Sequence, residues 1–492
     1  MSRLGPLAAA LLSLLPAAAA AQPIAAHPLE LRFSERPWAP PRAEAFRHVL
    51  TNGVVVYLVP DHSLPLAQVA VALRAGSYLE PAEKTGLAGL TASMLRRGGT
   101  EGLSPAELDQ RLDALAAEMD AAAGGIRAGA SLDVPSWALE EALSLFFEAL
   151  RHPRFDPERL AQAKRNLAEG LRGRNDEPGE LAEREWGWLL SGLDHFSRRP
   201  LRPQNLESIT REDLQAFHQR YWQPAAMVVA VSGDVEPEPF LALLEKLFAG
   251  WLVGEKAPWP PPAPAFEPRP GAYRIERDLP QARVLLGSLG PRRGGWDDPQ
   301  VPAWMVLGEL LGGRGARIAG SLRNAQGLVY RAGASLTIGD LWPGELRVQF
   351  EAENGNVARA AELALAEFDR LRREPPSSAE LAFVKKAMVD ALPYLFDSAE
   401  KTAGYFAEDD YLGRPHRFWQ DYRPRIEAVS QEDVRRAARE LLLPDRLLLL
   451  AVGRGREIEA AGEGQRGLLS VFPLPWTPLP ERDPVTFEPL RR

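Results

Sequence analysis

The chain has seven imidazoles to weigh for metal or acid–base chemistry: His27, His48, His62, His152, His195, His218 and His416. No two share a helical turn or a short ligand-like spacing, so the ordinary reading is seven separate surface or core histidines rather than a pair gripping one zinc ion. There is no cysteine, which removes thiolate ligands, thiol nucleophiles and a disulfide framework together. Ser93, Ser191 and Ser197 lack the G-x-S-x-G or S-x-x-K setting that activates a serine. Gly124-Gly125 and Gly312-Gly313 have no Gly-Lys-Ser/Thr after them, so turns or helix ends account for both pairs.

The elements that could position any chemistry come in two sets. Pro258, Pro260, Pro261, Pro262, Pro264, Pro268 and Pro270 crowd one segment without apolar periodicity, as a semi-rigid extended linker does. Before it, Leu64-Pro65-Leu66-Ala67-Gln68 leads into an apolar strand and later a helix ending at Gly98-Gly99. After it, Leu279-Pro280-Gln281-Ala282-Arg283 leads into another strand and a helix ending at Gly312-Gly313. Tyr221-Trp222-Gln223-Pro224 precedes the strand Met227 to Val231, as Leu442-Leu443-Pro444 precedes Leu447 to Val452. The offset is about 215 to 220 residues throughout, the size of a domain.

Within the first half, Val54 to Val59 and Val69 to Leu73 read as strands. Pro105 to Glu118, Trp137 to Leu150 and Pro157 to Arg172 read as helices, the last opened by Asp156 as N-cap. The expectation is an α+β fold of two similar domains from an internal duplication, each a mixed or antiparallel sheet with helices covering one face. The division expected is 1–21 signal peptide, 22–253 first domain, 254–271 linker and 272–492 second domain.

Met1-Ser2-Arg3, the Leu/Ala stretch Leu4 to Leu15, Pro16 and the run ending Ala21-Gln22 read as a secretory signal peptide, so export is expected, to the periplasm in a Gram-negative cell. No membrane anchor is expected: Pro444, Asp445 and Arg446 interrupt the apolar run Leu441 to Val452, whose length suits a buried strand. With 58 basic and 66 acidic residues and a formal charge of −8, the chain has no basic field for nucleic acid.

Gly86 to Thr100, GLAGLTASMLRRGGT, resembles the signature helix of the insulinase/pitrilysin zinc peptidases, the inverzincins, with the pattern G-L-A-H-x-x-E-H-M-L-x-x-G-T. The frame is present with one extra Gly before Thr100, but the H-x-x-E-H falls on Gly89, Leu90, Thr91, Ala92 and Ser93. Positions 89 and 93 lie one turn apart, where two imidazoles would hold a metal; Gly89, Ala92 and Ser93 form a degenerate zinc motif. The family's third ligand is a Glu on a later helix, for which Glu169 is the counterpart by distance along the chain. Without the His pair, Glu169 also reads as a solvated helix carboxylate among Lys164, Arg165 and Arg172.

Residues 310–330, LLGGRGARIAGSLRNAQGLVY, resemble the family stretch L-R-x-x-x-G-L-x-Y, with Arg323 and Tyr330 seven residues apart. The resemblance implies that this pair faces the zinc across a cleft. Guanidinium donors would hold substrate carbonyls there, and a phenol would stabilise the developing oxyanion. On their own, Arg323 reads as a cation at a helix C-terminus and Tyr330 as a half-buried strand aromatic.

The resemblance therefore implies a non-catalytic subunit, with no cofactor of its own, paired with a zinc-bearing homologue. Arg323 and Tyr330 would act in trans on unfolded peptides, and Arg127 to Ser131 is an edge strand onto which an extended peptide could add. A non-enzymatic scaffold or peptide-binding protein of the same fold is the alternative, and an independently active zinc peptidase a third.

Overall fold

The computed structural model describes His27 and residues 38–313, 315–324, 328–460 and 466–490, with the backbone alone of Asn324 and Tyr330. The signal segment 1–21 lies outside the described residues. Contacts divide the chain into Met1–Ala39 and Pro40–Arg492. Every element below belongs to the second unit.

Apolar alternation in the first half builds a sheet of β1 (Arg47–Val49), β2 (Val55–Pro60), β3 (Leu66–Leu73), β4 (Glu118–Gly124), β5 (Arg127–Pro135) and β6 (Met227–Gly233). Its spatial order is β1-β2-β6-β3-β5-β4. The second sheet holds β7 (Gly271–Glu276), β8 (Gln281–Leu289), β9 (Val329–Thr337), β10 (Glu345–Glu353), β11 (Leu448–Gly453) and β12 (Trp476–Pro478), in the order β12-β7-β11-β8-β10-β9. From β2 and β7 outward the two orders coincide strand for strand. The parallel pairing also recurs, β2 with β6 and β7 with β11, while the remaining neighbours in these five-strand runs are antiparallel.

The first half carries α1 (Leu87–Arg97), α2 (Pro105–Ala114), α3 (Leu139–Arg151), α4 (Pro157–Gly170), α5 (Pro178–Ser191), α6 (Pro203–Ser208), α7 (Arg211–Tyr221) and α8 (Pro237–Phe248). The second carries α9 (Val301–Leu311), α10 (Arg317–Asn324), α11 (Val357–Arg373), α12 (Ser378–Asp390), α13 (Ala399–Leu412), α14 (Phe418–Glu427) and α15 (Gln431–Leu441), followed by two short helices. Equivalent helices start by equivalent means. Thr210 and Asp213 close a capping box on α7, and Ser430 and Asp433 close the same box on α15. Asp156 accepts from the N–H of Glu158 and Arg159 and opens α4 with Pro157 at its first position.

Helices cover both faces of each sheet, where the sequence led us to expect one. The second cover comes from the other half. On β11, Leu449 and Ala451 face the second half's own helices, while Leu448, Leu450 and Val452 pack against Leu181, Ala182, Trp186 and Leu190 of α5. On β2, Val56 and Leu58 join the first half's core, and Tyr57 and Val59 pack with Ala403, Phe406 and Ala407 of α13. A strand buried on both faces reads as an unbroken apolar run because no position is left for a polar residue. Each exchanged helix presents its apolar side chains on one stripe, Ala403, Phe406 and Ala407 lying at i, i+3 and i+4. Polar contacts fix α5 in place: Trp186 Nε1 donates to Glu345 at 2.6 Å and Arg347 meets Glu183 at 2.7 Å.

Local departures from expectation have local causes. The helix expected over Pro105 to Glu118 ends at Ala114, since Ala116 has a φ of 49° and Glu118 already begins β4. Arg127 to Ser131 is not an edge: β5 lies between β3 and β4, and β4 is the last strand of its sheet. A hairpin through Gly124 and Gly125, the latter at φ +51°, sends β4 outside β5.

Two outcomes follow. Phe406 is fully buried between Phe46, Tyr57 and Phe396, so Phe406→Ala should lower the unfolding free energy by about 3–5 kcal/mol in urea titration. Burial pushes the Glu185 carboxyl of α5 up to about 7, against the pull of Arg482 and Arg184. The folded value exceeds the unfolded one, so this contribution is fully present below about 4.5 and is lost as pH rises through about 7. Thermal unfolding at stepped pH should show Glu185→Gln removing that part of the decline.

Candidate functional site

The two sequence motifs occupy corresponding places, each beside the outermost strand of its own sheet. Helix α1 packs along β4, and α9 and α10 pack along β9. Strand β4 ends its sheet at one side, and its backbone edge is where an extended chain could pair.

Packing, not metal, holds α1. Leu87, Leu90, Met94 and Leu95 are buried in the first core, and Thr91 Oγ1 donates back to Leu87 O at 2.8 Å. The N-terminus has Gly86 in the left-handed region and no side-chain cap of its own. Glu80 supplies the missing acceptor: its carboxylate, 6 % exposed, takes the N–H groups of Gly86 and Ala88 at 3.0 Å each. Burial raises its pKa while these N–H bonds, and Arg199 at longer range, pull it down. Sequence reasoning missed Glu80, because an acid six residues before the N-cap position has no capping signature.

Gly89 and Ser93 are half-buried and Ala92 is fully buried. A Cβ at Gly89 would stand 3.5 Å from Ala123 O, an ordinary contact, so a Cβ is accommodated. What is lacking is a donor. Glu169 lies near the end of α4 with its side chain 72 % exposed, paired with Arg172 at 2.8 Å, as a solvated helix carboxylate. Among the described residues no three His, Cys, Asp or Glu side chains gather where a metal could bind. The donor set at Gly89, Ala92, Ser93 and Glu169 does not fit zinc, which takes three or four imidazole, thiolate or carboxylate ligands.

The described histidines have other surroundings. His218, pushed down to about 4 by burial, donates from Nε2 to Leu150 O at 2.7 Å. His62 pairs with Asp234 at 2.7 Å, His195 meets Ser197 and Pro262 O, and His416 lies near Tyr57.

Arg323 is exposed on the last turn of α10. Tyr330 lies in β9 beside the irregularity opposite Glu351 and Ala352, and its side chain is outside the described residues. The structure thus places both residues of the pair at one sheet edge. A clamp the sequence did not reveal holds α10: Arg317 donates through Nε and one terminal nitrogen to both oxygens of Glu380 at 2.6 and 2.5 Å.

Residues 55–185 match the description Insulinase (Peptidase family M16), and residues 208–388 match Peptidase M16 inactive domain. The chain belongs to the M16 family. It is similar to an uncharacterized zinc protease of Mycobacterium tuberculosis, 26 % identical over 403 residues, covering 79 % of this chain and 88 % of the relative. It is also similar to the Non-peptidase homolog YmxG of Helicobacter pylori, 22 % identical over 409 residues, covering 80 % and 90 %. The fold matches the first half of the periplasmic protease PqqL from Escherichia coli with a TM-score of 0.72 at 17 % identity, covering 89 % of this chain and 97 % of that half. Against the longer PqqL chain the coverage is 49 % of that chain. The chain keeps the motif helix, with no imidazole or carboxylate at Gly89, Ala92 or Ser93.

The cap on that helix is testable. Glu80→Ala would leave the buried Ala88 N–H and the part-buried Gly86 N–H without their acceptor and should cost about 1–3 kcal/mol of stability by chemical denaturation.

Proposed function

We propose that this M16 chain is the non-catalytic subunit of a heteromeric zinc peptidase and supplies substrate-holding groups to a zinc-bearing homologue. The observation that carries the reading is the contrast between the two sheet edges. At β4 the motif helix is intact in packing and empty of donors, while at β9 the chain keeps Arg323 exposed on a clamped helix, with Tyr330 on the strand that follows. In this reading the chain holds no zinc itself, and the metal and general base belong to the partner. Arg323 would hold substrate carbonyls and Tyr330 would donate to the developing oxyanion, both in trans.

A homologous partner is supported by the match of this chain to one half of the longer PqqL chain. Substrates are unfolded peptides, laid in extended form along a free strand edge such as that of β4. Among the described residues no helix is long and apolar enough to cross a membrane. The basic, apolar and small-residue order of 1–21 supports export, to the periplasm of a Gram-negative cell.

The second reading is a scaffold or peptide-binding protein without a catalytic partner, favoured by the likeness to a relative named a non-peptidase homolog. Purification from cells co-expressing a zinc-bearing homologue separates the two. The subunit reading expects a complex that cleaves an unfolded reporter peptide and that chelator silences, with no cleavage by this chain alone. Tyr330→Phe should lower kcat/KM of that complex by about 10²–10³-fold, as loss of an oxyanion donor does, and Arg323→Ala should lower it by a smaller factor, mainly through a raised KM. No complex, or unchanged kcat/KM in both variants, overturns the subunit reading.

A further inference from the structure

In a chain of formal charge −8, one cavity has a lining of the opposite sign. It measures about 410 Å³ and lies where β1, the end of β3, the segment after α8 and the end of α13 meet. Arg47, Arg74 and Lys256 line it against a single carboxylate, Asp410. That carboxylate is already engaged, accepting from Arg47 Nε at 3.1 Å and from the Tyr57 hydroxyl at 2.9 Å.

Arg74 is the unusual member. Its guanidinium is half-buried, lies 4.3 Å over the Trp259 ring, and spends Nε and one terminal nitrogen on the carbonyl oxygen of Tyr411 at 3.2 and 2.6 Å. Its partners are thus a carbonyl and a ring face, and neither neutralises a positive charge. Lys256 is exposed on the same lining, and Asn52 adds a buried amide nitrogen without an acceptor. The remaining wall is apolar, with Val55, Met227, Val228 and Ala257. A half-buried guanidinium without a carboxylate calls for an anion, and an apolar wall calls for an apolar body attached to it. A volume of this order suits a small molecule or one end of a chain.

We propose that this cavity binds a carboxylate carried on a short apolar body, with Arg74 and Lys256 taking the charge. A free acyl amino acid and the C-terminal residue of a peptide share this chemistry. The lining includes none of the motif positions on α1 and α10, and the proposal does not rest on the peptidase reading. Because its walls come from both halves and the segment between them, an occupant would bridge the halves and raise the Tm by mass action.

Calorimetric titration of the full chain tests it with N-acetyl-leucine, its neutral methyl amide, inorganic phosphate, and a leucine-ended pentapeptide with free or amidated C-terminus. The expected result is saturable binding of N-acetyl-leucine, with the methyl amide and the amidated peptide at least about tenfold weaker. Arg74→Gln should weaken the acid about tenfold and Lys256→Gln by a few-fold. The free-ended peptide binding as well as the small acid points to a chain end as the source, and binding of the small acid alone points to a free metabolite; either supports the carboxylate site. Absence of acid binding, phosphate binding in preference to N-acetyl-leucine, or equal affinity for acid and methyl amide overturns it. Should Arg74→Gln fail to fold, the exposed Lys256→Gln decides, and affinity unchanged there overturns the assigned role of the cations.

Discussion

A sheet has two faces, and strands such as β11 carry apolar side chains on both. Leu449 and Ala451 are covered by helices of the second half, but Leu448, Leu450 and Val452 have no cover there. Helix α5 of the first half supplies it, and α13 of the second half does the same for Tyr57 and Val59 of β2. The exchange ties the two halves into one folding unit. Either half alone would expose an apolar sheet face, with Leu285, Leu448, Leu450 and Val452 in the second and Val55, Tyr57, Val59 and Val228 in the first, and a large apolar side chain is worth about 1.5–3 kcal/mol when buried. Exposed apolar area of that extent is an aggregation hazard rather than a stable surface. The exchanged helices therefore do for the molecule what an interface does for an obligate dimer.

With the sheet faces covered, the sheet edges become the places open to a ligand chain. Helix α1 lies along β4, and α10 leads into β9, so both motifs flank an edge. The demands on these helices are separable. Leu87, Leu90, Met94, Leu95 and the Glu80 carboxylate hold α1 in place without any metal, so the helix persists when its donors are absent. This is why a zinc-binding frame can be read in GLAGLTASMLRRGGT although Gly89, Ala92 and Ser93 carry nothing that binds zinc.

The duplication was legible because local signals repeat. Leu64-Pro65 and Leu279-Pro280 lead into corresponding strands, Gly98-Gly99 and Gly312-Gly313 end corresponding helices, and Pro224 and Pro444 precede β6 and β11. What was not legible depends on contacts distant in sequence. Alternation marks β5 as a strand but does not say that β4 lies outside it, so Arg127 to Ser131 looked like an edge. Nothing in the sequence of α5 says that its apolar stripe belongs to the other sheet. The Arg317–Glu380 clamp joins residues on separate helices, and no spacing rule announces it. Glu169 was ambiguous in sequence for a different reason. A ligand and a solvated carboxylate look the same until exposure is known, and here the side chain sits in solvent beside Arg172.

Room remains at Gly89, where an added Cβ would make only an ordinary contact with Ala123 O. The fold thus accommodates a Cβ there, and no clash at that atom requires the glycine. Ala92 is different: it is wholly enclosed, so a carboxylate at that position would need a partner or a metal to offset its desolvation. A helix that binds no metal is more stable with Ala than with a buried unpaired acid. Low-cost residues at these positions are what packing alone would select once no ion is there to neutralise them. At α10 the physical situation is reversed. Arg323 stands exposed at a helix C-terminus, where a cation is favourable with or without substrate. The two edges differ in what each motif demands of the free protein: the zinc motif needs an ion to be tolerable, whereas the arginine needs nothing.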